Sequence, residues 1–144
     1  MRHAFRFVIA LLALSAAVSG QENVVTTLSG LRYIDHKVGA GDLAVLGAIA
    51  ETHFEGWVAA DGKKVKKFDS SIDRGKTYSL TIGILERGNF PGFDEGVQGM
   101  KVGGKRELII PSELGFGARG IGNGLVPPNS QLIFEVELLS VTKQ

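Results

Sequence analysis

Between Leu31 and Lys143 only one stretch carries the period of a helix. In Phe90-Pro91-Gly92-Phe93-Asp94-Glu95-Gly96-Val97-Gln98-Gly99-Met100 the large apolar residues Phe90, Phe93, Val97 and Met100 recur at i, i+3, i+7 and i+10, which places them on one stripe. Pro91 suits a first helical turn, Asp94 and Glu95 complement the positive end of the helix dipole, and Lys101 follows at the other end. Gly103-Gly104 is the expected stop. Everything else is alternating or briefly apolar, in strand-length pieces. The pattern predicts one sheet curled over one short helix, with Phe93 between them.

The N-terminus is of another kind. Arg2, His3 and Arg6 precede an apolar run from Phe7 to Leu14, and small, weakly polar residues follow to Gly20. Charge, length and small-residue exit read as a secretory signal peptide over residues 1–20, cleaved after Gly20. The apolar run falls short of the ~20 residues that span a bilayer. The expected product is exported, periplasmic or secreted, with no membrane attachment after cleavage. Residues 21–30 are polar and small and read as a tether, leaving residues 31–143 as the domain. Losing Arg2 and Arg6 takes the 16 Lys and Arg to one fewer than the 15 Asp and Glu, a formal charge of −1 that gives no reason to expect nucleic acid as a partner. The chain has no cysteine, which excludes disulfides, thiolate metal sites and a cysteine nucleophile.

Strands are predicted over Leu31 to Val38 and over Ala48 to Val58, the latter with Ile49, Glu51, His53, Glu55 and Trp57 on one face and Ala50, Thr52, Phe54 and Val58 on the other. Asp61-Gly62 marks a hairpin turn, and Lys63, Lys64, Lys66 and Lys67 mark a solvated edge strand. Further strands are expected from Thr77 to Ile82, from Lys105 to Ile110 and from Gln131 to Thr142, where Leu132, Phe134, Val136 and Leu138 oppose Glu135 and Glu137. The glycine-rich segment from Gly115 to Gly124 reads as a long loop.

Several chemistries fail on their own motifs. Gly99 to Lys105 imitates a phosphate-binding loop, but Arg106 stands where magnesium needs Ser or Thr, and the segment runs from helix to strand. The glycines from 117 to 124 have no following helix to make a dinucleotide fingerprint. His36 and His53 lie on different strands without metal-site spacing, so no metal is expected. No Gly-x-Ser-x-Gly turn offers a serine nucleophile. Asp94-Glu95 points in two directions around a helix and is better explained by helix-start electrostatics.

What remains is an ordered set: Phe68-Asp69-Ser70-Ser71, Phe93-Asp94-Glu95-Gly96, Gly99-Met100-Lys101-Val102-Gly103, Gly115-Phe116-Gly117 and Val126-Pro127-Pro128. Together these resemble the FKBP-type peptidyl-prolyl isomerases, the immunosuppressant-binding family, over roughly Leu31 to Val141. The resemblance implies an α+β fold in which a curved antiparallel β-sheet wraps around one short α-helix, a cofactor-free isomerase acting on X–Pro bonds, and a pocket between helix and sheet with Phe93 as its floor. It implies catalytic roles for Asp69, Phe90, Phe93 and Phe116, with substrate held by Phe54, Phe68, Tyr78, Leu125, Val126 and Phe134. Arg74 would support Asp69, and the backbone N–H of Phe90 would receive a carbonyl of the bound peptide. The implied partners are proline-containing peptides and unfolded client proteins, and macrolide inhibitors held less tightly than usual.

For Asp69 the residues alone leave two readings open, a turn-capping carboxylate beside Ser70 and Ser71 or a buried charge held by Arg74. The chain also departs from the family pattern. Phe54 and Phe116 stand where tyrosine is usual, Phe93 replaces tryptophan, Leu80 replaces an aromatic residue, and Asn89 brings an amide to the pocket rim. Two absent hydroxyls lead to a second expectation, a peptide-binding chaperone module with weak or no turnover.

Overall fold

The computed structural model describes residues 23–85 and 90–144. The leader assigned to residues 1–20 and the rim position of Asn89 lie outside the described residues. Among those residues seven strands form one antiparallel sheet: β1 (Val24–Thr26), β2 (Arg32–Lys37), β3 (Ile49–Ala60), β4 (Lys63–Ser70), β5 (Tyr78–Thr81), β6 (Lys105–Ile110) and β7 (Gln131–Thr142). The order is β1-β2-β6-β7-β3-β4, with β5 also paired to β3. Among the described residues the one α-helix, α1 (Pro91–Val97), lies between β5 and β6, and a 3-10 turn covers Ser112–Leu114. The stretch expected to be a tether is therefore part of the sheet from Val24 onward, because Val24, Val25 and Thr26 pair with Ile34, Tyr33 and Arg32.

The twelve-residue strands β3 and β7 form the centre, paired from Ile49↔Thr142 to Ala59↔Gln131. Their alternation follows the predicted faces. Ala50, Thr52 and Phe54 on β3 and Leu132, Phe134, Val136 and Leu138 on β7 are buried against the helix, while His53, Glu55, Glu135 and Glu137 point outward. A smaller cluster of Ile34, Ala59, Ile109 and Ile133, joined by Trp57, covers the outer face. Asp61 and Gly62, at φ 52° and 75°, close the β3–β4 hairpin. The lysine-rich β4 is the sheet edge, as its charges predict.

One edge of β3 is shared by two strands. Residues 49–52 pair with β5 and residues 55–60 with β4, so the chain leaves the sheet between Ser70 and Tyr78. Ser71 splices this gap. Its N–H donates to the Phe54 carbonyl (3.0 Å), and its hydroxyl accepts the Phe54 N–H (2.8 Å) while lying 2.9 Å from His53 Nδ1. Farther along, the hydroxyls of Ser79 and Thr77 donate to the Glu51 carboxylate and hold its pKa below the usual range. A carboxyl depressed on folding contributes stability above its unfolded pKa, and this tie between β3 and β5 is lost as pH falls through the folded value.

Helix α1 is shorter than predicted. It ends at Val97, and Gly99, at φ 78°, turns the chain four residues before Gly103-Gly104. Two turns are too few to be stable alone, so packing must hold them. A Cβ on Gly96 would stand 2.4 Å from Leu108 Cδ1, and one on Gly92 would stand 2.5 Å from Ile110 Cγ2, so the helix backbone rests directly on β6. Its carbonyl end is tied down by Arg106, which is 6 % exposed. The guanidinium donates from Nη1 to the carbonyls of Gly96 and Gln98 (both 3.0 Å), binds Asp35 through Nε (2.7 Å), and lies 4.0 Å from the Tyr33 ring. Replacing Arg106 strands two helix-end carbonyls and one carboxylate. Arg106→Met is expected to lower stability by about 2–3 kcal/mol in urea unfolding with an unchanged m-value. A loss under about 0.5 kcal/mol would show that the clamp contributes nothing net.

Candidate site, an aromatic concavity between helix and sheet

Six of the eight phenylalanines lie beyond residue 20, and all six line one concavity of about 270 Å³. Phe54 comes from β3, Phe68 from β4, Phe93 from α1 and Phe134 from β7, with Phe90 just before the helix and Phe116 on the loop after the 3-10 turn. Tyr78 of β5, Asp69, Arg74 and Ile121 complete the lining. Phe54, Phe93 and Phe134 are buried and form the floor, with pairwise ring-centroid separations of 5.5–5.6 Å. Phe68, Tyr78, Phe90 and Phe116 are half-buried and form walls, tied to one another by Phe90–Phe116 at 4.8 Å and Phe68–Phe116 at 6.1 Å. Most of these pairs are edge-to-face or tilted, the geometry favoured by aromatic quadrupoles.

Gly56 makes room for this arrangement. A Cβ there would lie 2.8 Å from Phe134 Cε1 and 3.1 Å from Phe68 Cζ, so any larger residue would push two lining rings. The ring of Phe54 also lies 5.7 Å from the Arg74 guanidinium.

Asp69 makes both of the contacts left open by its sequence. Its Oδ1 accepts the N–H of Ser70 (2.8 Å) and a hydrogen bond from Arg74 Nη1. It is not the buried charge that one reading required, since the Asp69 and Arg74 side chains are 36 % and 51 % exposed. Leaving the sheet edge just before Ser71 places Asp69 at the mouth, where water screens the ion pair to about 0–1 kcal/mol.

Two residues assigned to the lining do not reach it. Val126 is 1 % exposed and packs in the core, and Leu125 is 41 % exposed and outside the lining. Their place is taken by Ile121. It exchanges backbone hydrogen bonds with Val126 (3.1 Å each way), which folds the glycine-rich loop back on itself and brings Ile121 to the concavity. The only clue in the sequence was that Ile121 is the one large aliphatic residue between Gly117 and Gly124. Leu80, where an aromatic residue is usual, is 5 % exposed and belongs to the core.

A larger concavity, about 440 Å³, lies on the outer face of the sheet between His36, His53, Glu55, Lys105, Arg106, Glu135 and Glu137. Its size does not make it the better site. Several charges there are partnered within the fold: His36 Nε2 lies 2.8 Å from Glu107, Lys64 binds Glu135, and Lys67 bridges Glu55 (3.6 Å) and Asp73 (2.9 Å). Among the described residues no group of three or more His, Cys, Asp or Glu is arranged to hold a metal ion. The smaller concavity has the apolar lining and the few polar groups of a ligand site.

Comparison with known proteins agrees with this geometry. Residues 41–139 match the family model for FKBP-type peptidyl-prolyl cis-trans isomerase. The chain is 46 % identical over 114 residues to the FK506-binding protein of Neisseria meningitidis serogroup B, covering 79 % of this chain and 98 % of that one. Among solved structures it is similar to AtFKBP13, with a TM-score of 0.71 and 37 % identity over 82 % of this chain and 98 % of that one. It is also similar to FkpA from Escherichia coli, with a TM-score of 0.72 and 34 % identity over 91 % of this chain, but it spans only 57 % of that protein.

Trp57 reports on the location of the site. It packs in the outer cluster with the Lys64 ammonium 4.0 Å from its ring, on the side of β3 opposite Phe54. A short proline-containing peptide should leave its fluorescence nearly unchanged at saturation, as checked by titration. A large change would place ligand on the outer face.

Proposed function

Because the chain belongs to the FKBP-type peptidyl-prolyl cis-trans isomerase family, we propose that its aromatic concavity receives a proline ring and speeds rotation about the X–Pro bond in exported polypeptides. The observation that carries this reading is the convergence of six phenylalanines and Tyr78 on one concavity where, among the described residues, the charged lining groups are Asp69 and Arg74, bound to each other. Residues 1–20, with the composition of a leader, support the exported setting. Among the described residues no helix is long and apolar enough to cross a membrane.

The chemistry requires no proton transfer. Rotation removes amide resonance, a barrier of ~18–20 kcal/mol, and the uncatalysed event takes tens to hundreds of seconds. The planar imide is the more charge-separated form and is better solvated by water than the twisted one. A dry apolar lining therefore disfavours the planar form more, and a shape suited to the twist adds differential binding. Each ~1.4 kcal/mol of that difference is tenfold in rate. In this reading Phe93, Phe54 and Phe134 support the ring, Phe68, Tyr78, Phe90 and Phe116 exclude water around it, and the Phe90 N–H orients a peptide carbonyl. The Asp69–Arg74 pair places a local dipole at the mouth.

A second reading rests on one specific feature. Among the described residues the lining has a single hydroxyl, that of Tyr78, because positions 54 and 116 are phenylalanine. A chaperone module that binds proline segments and turns them slowly would have such a pocket. The same lack would weaken macrolide binding.

Both readings are separated by a protease-free peptide isomerisation assay on residues 21–144. Catalysis predicts acceleration that falls by about tenfold or more in Phe93→Ala. It also predicts a clear loss in Asp69→Ala, whereas a mere turn cap would cost about 1 kcal/mol of stability and leave turnover intact. Absence of acceleration by the wild-type domain would falsify catalysis. Client aggregation would then have to be suppressed without turnover, and Phe116→Tyr should raise the rate by roughly two- to tenfold, the worth of one hydrogen bond.

A further inference from the structure

The carboxylate of Asp94 is next to Phe93 in sequence, yet it takes no part in the lining and is only 5 % exposed. It belongs to the first turn of α1, where the dipole favours a negative charge. Helix-start electrostatics, the reading its sequence suggested, does not explain its burial, because the same benefit is available to a carboxylate in water. Glu95 shows the contrast, since it faces outward and accepts hydrogen bonds from the Ser29 hydroxyl at 2.8 and 2.7 Å. Burying a carboxylate costs several kcal/mol unless donors compensate it.

One of those donors comes from another part of the chain. The N–H of Gly83 is 2.9 Å from Asp94 Oδ1 and 3.2 Å from Oδ2, and Gln98 Nε2 adds a contact at 3.2 Å. Gly83 stands at φ 89° on the turn that leaves β5, and a Cβ there would lie 2.9 Å from Leu46 Cδ2. Two pocket walls flank Gly83 along the chain: Tyr78 begins β5, and Phe90 directly precedes α1. Both rings lean on Phe93, at 5.5 and 5.9 Å.

We propose that Asp94 is a positioning residue for the pocket. By binding the Gly83 N–H it locks the turn after β5 against α1 and thereby sets the separation of the Tyr78 and Phe90 walls above Phe93. This builds on the reading of the concavity as the isomerisation site. Asp94 touches no substrate and acts only through where the walls stand. A buried carboxylate bonded to a backbone N–H is directional, as an apolar contact is not.

The test compares Asp94→Ala with Val97→Ala, a fully buried position on the same helix that is outside the lining. Both variants are assayed at a temperature where urea curves show them fully folded. Expected is a fall in kcat/KM on the order of fivefold or more in Asp94→Ala, against less than about twofold in Val97→Ala, since misplaced walls cost rate out of proportion to stability. Asp94→Asn, which keeps one acceptor for the Gly83 N–H, should recover most of that loss. Amide resonances of Tyr78, Gly83 and Phe90 should move in Asp94→Ala while that of Trp57 holds. Activity losses that merely track stability in both variants, or shifts confined to residues 91–98, would overturn the proposal. If the wild-type chain were inactive, the isomerase reading would fall, and the resonances of Tyr78 and Phe90 would still decide whether Asp94 positions the walls.

Discussion

The ring of Phe93 meets four other aromatic rings, those of Phe54, Phe134, Tyr78 and Phe90, at centroid separations of 5.5–5.9 Å. Those partners come from three strands and from the residue just before the helix. Such contacts add about 0.5–1.5 kcal/mol each beyond the area they bury. They matter more here because α1 has seven residues, too few to persist without tertiary contacts. The ring that docks the helix is also the floor of the concavity. The pocket is therefore an open end of the core, and its shape inherits the rigidity of close packing.

That rigidity depends on several unlike devices. Gly92 and Gly96 remove the side chains that would lift the helix from β6, and Arg106 secures its carbonyl end to Asp35 on β2. At the sheet, Ser71 closes the gap where β3 passes from one edge partner to the other. Near that gap Asp69 and Arg74 reach the mouth. The outer face bears most of the paired charge, so polar interactions are largely kept away from the apolar lining. The proposed exclusion of water from the site depends on this separation.

Much of this was legible from the sequence, because periodicity reports which face of an element is buried. The helix, the two faces of β3, the alternation of β7 and the lysine-guarded edge all follow from spacing. Features that depend on backbone or on loops were not legible in this way. Val24 and Val25 join the sheet through backbone pairing while their side chains stay exposed, so no apolar pattern marks them. Gly99 ends the helix because its neighbours are drawn back to Ala44, whose carbonyl receives the Gly99 N–H and whose own N–H goes to Met100. Ile121 replaces Leu125 and Val126 in the lining because a turn within a glycine-rich loop has no periodicity to read. Asp94 and Glu95 are identical in charge and adjacent in sequence. Only the roughly 100° turn between successive helical residues makes one a buried tie and the other a surface group.

At the pocket, we propose that an apolar aromatic enclosure lowers the rotation barrier by desolvation and shape, with no proton in flight. The most direct measurement is the ratio of kcat/KM in H2O to that in D2O for a short proline peptide. A ratio close to unity is the expected result, because no bond to hydrogen is made or broken at the turning imide. A normal isotope effect of roughly two or more would mean that a general acid or base participates in the rate-limiting step, and the enclosure could not then be the source of the acceleration.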